Sequence, residues 1–209
     1  MGVIITIIGI LLGAGGLVFA ILTYKKSRKE RLHRQQRFEW NHIYQGVRYI
    51  CQRIQQMNFV PDFLIAVPGA GLIPTELAVI ELGDRIPIFM IQQVPKLREK
   101  ELGWENGTKY ETEKWAYWIP SEILQQKEKK VLIFDDYAPT GDTLTGLKKE
   151  LVKQGFKRDH IKTAALVAPE SLKETSKNPD FTWFWVDSCH VWMPWGHGSK
   201  IVRKGDVSF

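Results

Sequence analysis

Two adjacent acids followed by a short run of small and hydroxylated residues carry most of the chemistry this sequence offers. Val131 to Thr145 reads VLIFDDYAPTGDTLT. Its apolar start reads as a buried strand that delivers Asp135 and Asp136 to a turn opening a helix. The turn Ala138, Pro139, Thr140, Gly141, Asp142 and Thr143 offers successive backbone N–H groups, two hydroxyls and the positive end of a helix. Together these make an anion site that suits a phosphate. Carboxylates beside such a cradle suit the vicinal hydroxyls of a sugar, because each accepts a charge-assisted hydrogen bond. An ordinary strand followed by a capped helix has no need of two acids at a buried strand's end, where unpaired carboxylates are costly. Asp142 adds a negative charge to a phosphate loop, which is tolerable only if its side chain turns away or binds a cation.

The elements that must position these residues alternate along the chain. FEWNHIYQGVRYICQRIQQM (38–57) places Ile43, Val47, Ile50, Ile54 and Met57 on one apolar helical face, which predicts packing on a sheet. DFLIAV (62–67) reads as a strand, ends in Pro68, Gly69, Ala70 and Gly71, and runs into the helix-like IPTELAVIEL. RIPIFMIQ (85–92) fits a second strand. Gln93 to about Pro120 has no clear period and is expected to be an irregular functional flap. After VLIFDD, a helix carries Leu144, Leu147, Leu151 and Val152 and closes at Gly155; KTAALVA and FTWFWV are the remaining strands. This alternation predicts an α/β domain on a parallel sheet with helices on both faces, whose ligands bind beyond the carboxyl ends of the strands.

VLIFDDYAPTGDTL resembles the phosphoribosyl pyrophosphate signature of type I phosphoribosyltransferases: four apolar residues, two acids and a TG-x-T loop. The resemblance implies that Asp135 and Asp136 hold the ribose hydroxyls and that Thr140, Gly141, Asp142 and Thr143, with Ala138 and Pro139 before them, hold the 5′-phosphate. DFLIAVPGAGL is similar to the family's pyrophosphate loop, which would be Pro68, Gly69, Ala70 and Gly71. The stretch after Gln93 is similar to its flexible loop, with Lys96, Arg98 and Lys100 as candidate cations. VWMPWG resembles the hood of 6-oxopurine-type members, so Trp192 or Trp195 would give a flat face to a nucleobase and Asp187 would address a ring substituent. The implied function is binding of phosphoribosyl pyrophosphate, or a nucleoside monophosphate, with Mg²⁺ that has no direct protein ligand, and transfer of ribosyl phosphate to or from a nucleobase-like acceptor. Two positions depart from the pattern: Pro139 stands where many members carry an acid, and Gly69 where relatives carry a basic residue. These departures favour an alternative on the same fold, a non-catalytic phosphoribosyl or nucleotide sensor; a membrane effector is the third reading.

The chain of 209 residues has a formal charge of +6, and all of it lies between Tyr24 and Arg37, where seven Lys and Arg face the single Glu30. The rest is neutral, so no nucleic-acid surface is expected. Val3 to Leu22 reads VIITIIGILLGAGGLVFAIL without a charge; at ~1.5 Å per residue it spans a hydrocarbon core of roughly 30 Å. The sequence thus predicts a transmembrane helix over 1–23, a basic juxtamembrane linker over 24–37 and the soluble domain with its C-terminal hood over 38–209. The basic run places the domain in the cytoplasm and the N-terminus outside. Gly9, Gly13, Gly16 and Ala20 supply a small-residue face through which a homodimer is expected. Cys51 and Cys189 make no zinc spacing with the nearby His190 and His197 and read as thiols in a reduced compartment.

Overall fold

The computed structural model describes residues 36–83, 85–101, 106–187 and 191–195, without the side chains of 99–101. The expected membrane helix over 3–22 and most of the basic linker lie outside these residues, and none of the described helices is long and apolar enough to cross a membrane.

Strand β1 (Gln36–Arg37) leads into helix α1 (Trp40–Gln56), followed by β2 (Phe63–Ala66), α2 (Leu72–Leu82) and β3 (Ile88–Met90). Next come β4 (Gln92–Pro95), a 3-10 turn (Lys96–Glu101), β5 (Gly107–Glu111), β6 (Trp115–Pro120) and the short α3 (Ser121–Leu124). The chain continues through β7 (Val131–Tyr137), α4 (Asp142–Lys153), β8 (Ile161–Pro169), β9 (Phe181–Val186) and β10 (Val191–Trp192). Five strands form a parallel sheet in the order β3-β2-β7-β8-β9.

Both faces of that sheet are covered, which is why its strands read as continuous apolar runs. Along β7, Leu132 and Phe134 enter the core under α1 and α2, while Val131 and Ile133 enter the core shared with α4 and β6. The alternation is the strand's period of two, hidden in the sequence because both sides are apolar. Ile43, Val47, Ile50 and Ile54 of α1 are buried as their spacing predicts, but Met57 lies at the helix's C-terminal cap and is 54% exposed. Leu144, Leu147 and Leu151 of α4 are buried, whereas Val152 sits on its outer side. Gly155 follows α4 at φ +104°, the left-handed conformation that ends a helix.

The largest departure from expectation lies between Gln92 and Pro120. The expected second strand stops at Met90, and the chain then enters a separate antiparallel sheet of order β4-β6-β5. The described part of the stretch expected to be irregular is folded because Ala116, Tyr117, Trp118 and Ile119 of β6 are all buried. Tyr117 and Ile119 join the core beside α4, and Trp118 packs over Gly107, where a Cβ would stand 2.6 Å from its ring. A strand buried on both sides shows no polar alternation, which is the signal the sequence lacked.

A third sheet has two strands, β1 paired in parallel with β10, matching Gln36 to Val191 and Arg37 to Trp192. The Phe38 N–H donates to the Trp192 carbonyl at 3.0 Å. The residues that enter the domain are therefore tied to its C-terminal end.

Candidate functional site

The end of β7 carries Asp135 and Asp136, 8% and 2% exposed. Asp135 Oδ1 accepts the Asp136 N–H at 2.9 Å, and Asp136 Oδ2 accepts the Trp195 indole N–H at 3.0 Å. Burial, and then the charge of Asp136, hold the Asp135 carboxyl well above the usual carboxylate range. Such a pair accepts donor hydroxyls or a nearby cation readily, because either relieves the cost of charge there.

The turn at 68–71 lies against this pair. A Cβ on Gly71 would stand 2.6 Å from the Val67 carbonyl and 3.2 Å from Asp135 Oδ1, so only glycine lets the turn approach the acid. Gly69 has φ +93° with open space around it. Ala70 is buried.

Beyond β7 the chain makes the loop at the start of α4. Ala138 is buried and its N–H donates to the Val167 carbonyl at 3.0 Å, which anchors the loop to β8 and commits that N–H. Thr140 Oγ1 accepts the Asp142 N–H at 3.4 Å. Among the described residues the N–H groups of Thr140 and Gly141 have no acceptor. Gly141 is left-handed, at φ +67° and ψ 0°, and a side chain there would collide with the Lys177 carbonyl. Asp142 pairs with Lys177 at 2.7 Å, which, with help from Thr140, holds its carboxyl below the usual range. The acid in the loop is thus answered by a cation.

The antiparallel sheet forms the facing wall. The hydroxyls of Tyr117 and Thr143 lie 2.9 Å apart. Tyr110 stacks on Tyr117 with ring centroids 5.7 Å apart and donates its hydroxyl to the Asp142 carbonyl at 3.1 Å. Between the walls lies a cavity of about 660 Å³ lined by Pro68, Gly69, Asp135, Asp136, Pro139, Thr140, Asp142 and Thr143, with Gln93, Lys114, Trp115 and Tyr117 from the antiparallel sheet. That volume suits a nucleotide-sized ligand. A smaller hollow of about 350 Å³ on the outer side of α4, lined by Thr145, Lys148, Arg158 and Asp180 among others, contains neither the acid pair nor any residue of the loop at 138–143.

The other candidates are dispersed. Lys96 pairs with Glu111 at 2.9 Å; hydrogen bonds from Lys109 and then Lys96 drive that carboxyl down to about 2. Arg98 is exposed on the 3-10 turn, and the Lys100 side chain lies outside the described residues. Neither Lys96 nor Arg98 lines the cavity, whereas Lys114 does. Asp187 is exposed just past β9, and Trp192 is half-buried on β10. Trp195 meets the site with its N–H edge while its ring packs on Trp40, 5.6 Å between centroids. Sequence reading missed Tyr110, Tyr117, Lys114 and Lys177, all supplied by segments remote from the motif. Among the described residues no group of three His, Cys, Asp or Glu is placed to hold a metal by itself.

The phosphoribosyl transferase domain model matches residues 34–200. In structure the chain is similar to the purine phosphoribosyltransferase of Pyrococcus horikoshii Ot3, at 25% identity and a TM-score of 0.59, over 80% of this chain and 98% of that one. It is similar to a Neisseria gonorrhoeae protein solved with ppGpp bound, at 19% identity and a TM-score of 0.57, over 77% and 89%. The xanthine-guanine-hypoxanthine phosphoribosyltransferase of Helicobacter pylori aligns at 14% identity and a TM-score of 0.53, over 78% and 94%. No curated protein matches the sequence.

Proposed function

The chain belongs to the phosphoribosyl transferase domain family, and from that premise we propose that it binds phosphoribosyl pyrophosphate and transfers ribosyl phosphate to or from a nucleobase-like acceptor. The observation that carries this reading is the convergence of the acid pair, the loop at 138–143 and the turn at 68–71 on one cavity. Asp135 and Asp136 accept the ribose hydroxyls. Thr140, Thr143 and the N–H groups at the start of α4 hold the 5′-phosphate, and Pro68 to Gly71 face the pyrophosphate. The purine phosphoribosyltransferases that share the fold make a nucleobase the leading acceptor class.

The donor set fits Mg²⁺. This ion keeps several waters and takes one or two carboxylates plus substrate phosphates, so two acids beside a pyrophosphate site suffice. Asp135 and Asp136 would hold it indirectly, through the substrate's hydroxyls and the ion's own waters. When bound it neutralises charge on the departing pyrophosphate. The chain's own contribution is orientation, fixed dipoles and exclusion of water, because a developing oxocarbenium-like sugar needs a polar, closed site more than any single base. Pro139 supplies no acid for a base nitrogen and Gly69 no charge for pyrophosphate; Lys114, lining the cavity, supplies that charge instead.

The same proposal includes a membrane anchor over 3–22, with the basic run at 24–37 and the domain on the cytoplasmic side, and a homodimer through the small-residue face of that helix. One observation favours a second reading, a sensor that reports ligand to the N-terminal segment. β1 is hydrogen-bonded to β10, and three residues past β10 Trp195 contacts Asp136, so the entry to the domain is linked to the ligand acid. A pyrophosphate-release assay over a panel of nucleobases, run beside calorimetric titration, separates the two. Binding with release supports the transferase, binding without release the sensor, and absence of binding refutes both.

A further inference from the structure

The hydroxyl of Tyr117 sits where a second layer of the phosphate cradle would be. Its ring is 2% exposed on β6, and its oxygen lies 2.9 Å from Thr143 Oγ1. Thr143 has one proton to give and two lone pairs. A threonine that donates to an anion needs a donor behind it if its oxygen is not to be left half-satisfied in a dry site. Tyr117 is the group placed to do this. It remains a phenol, because burial first, and then the charge of Asp135, raise its pKa.

The placement is built in from outside the cavity. Tyr110 occupies the space over Gly146 so fully that any side chain there would collide with its hydroxyl and ring. Its hydroxyl donates to the Asp142 carbonyl in the first turn of α4, and its ring stacks on Tyr117. Two tyrosines of the antiparallel sheet therefore grip the helix whose N-terminus forms the cradle.

We infer that Tyr117 is a positioning residue for a ligand's 5′-phosphate, acting through Thr143, and that the sheet formed by β4, β5 and β6 is a standing part of the phosphate site. This rests on the reading of the loop at 138–143 as a phosphate cradle. It extends that reading by assigning the discrimination between phosphorylated and unphosphorylated sugars partly to a residue outside the motif.

The test is a double-mutant cycle read by calorimetry with ribose 5-phosphate and phosphoribosyl pyrophosphate as probes. Tyr117→Phe keeps the buried ring and its stack on Tyr110 while removing the hydroxyl. It should weaken both probes about five- to tenfold, the scale of one hydrogen bond in an anion-binding chain. Thr143→Ala should weaken them at least as much, and the double variant should be no weaker than Thr143→Ala, because coupled residues are non-additive. A merely structural tyrosine would give independent, multiplying losses, and that result overturns the inference, as does unchanged binding by Tyr117→Phe. If Gly141→Val abolishes binding while Tyr117→Phe leaves it unchanged, the cradle stands and the role of Tyr117 falls. If the wild type binds neither probe, cradle and inference fall together.

Discussion

The indole N–H of Trp195 donates to Oδ2 of Asp136 at 3.0 Å, so the C-terminal segment closes on the acid pair by a hydrogen bond rather than by a stacking face. The other side of that indole packs on Trp40, the first residue of α1. A ribose diol seated on Asp136 must share or replace this bond.

Ligand binding should therefore change the tryptophan emission, and Trp195→Phe should reduce the change while leaving the fold intact, Trp115 on the cavity wall carrying the remainder. Fluorescence titration with a ribonucleoside monophosphate checks this. An equal ligand-dependent change in the variant would show that Trp195 does not follow the state of Asp136.

Asp135 gives the pH dependence a sign. Its folded pKa lies above the ordinary 3.8 because burial and then Asp136 disfavour its charged form. The folded protein thus keeps a proton that the unfolded chain has lost. The associated stability is complete below 3.8 and is lost as pH rises from there through the folded value. Thermal unfolding of the ligand-free protein should fall with pH more steeply in the wild type than in Asp135→Asn. Parallel curves would contradict the assignment.

Lys114 is an exposed cation at the cavity's edge, so its effect should be small and salt-dependent. Lys114→Ala should weaken phosphoribosyl pyrophosphate about two- to fivefold at low salt, the scale of ~0.5–1 kcal/mol for an exposed charge pair. Ribose 5-phosphate should be weakened less. Equal effects on both probes would remove Lys114 from the pyrophosphate site.

Much of this arrangement was legible because its signals are local. The four apolar residues before Asp135, the turn residues after it and the helix period through Leu144, Leu147 and Leu151 specify strand, loop and helix in a single stretch. The family follows from that stretch, as the match over 34–200 bears out. The antiparallel sheet was not legible, since β6 is buried on both sides and shows no alternation. Nor were the partners of the loop: Tyr117 reaches Thr143 across 26 residues, and Lys177 meets Asp142 only once β8 and β9 are in place. Met57 and Val152 continue an apolar pattern in sequence but fall where the helix ends or turns outward.

The membrane assignment rests on the charge-free run at 3–22 and the basic cluster after it. The full chain should stay with the membrane fraction in alkaline carbonate, and protease outside intact cells should leave the domain whole. Release by carbonate, or digestion from outside, would refute the anchor or its orientation.

The central claim is that the loop at 138–143 holds a phosphate beside the acid pair, and Gly141 is its most exacting position. Its left-handed backbone and the Lys177 carbonyl beside it leave no room for a side chain. Calorimetric titration of wild type and Gly141→Val with phosphoribosyl pyrophosphate and Mg²⁺ tests the claim most directly, with circular dichroism to establish that the variant is folded. The account predicts saturable binding by the wild type and its loss in a folded Gly141→Val protein; equal binding by both, or none by the wild type, would contradict it.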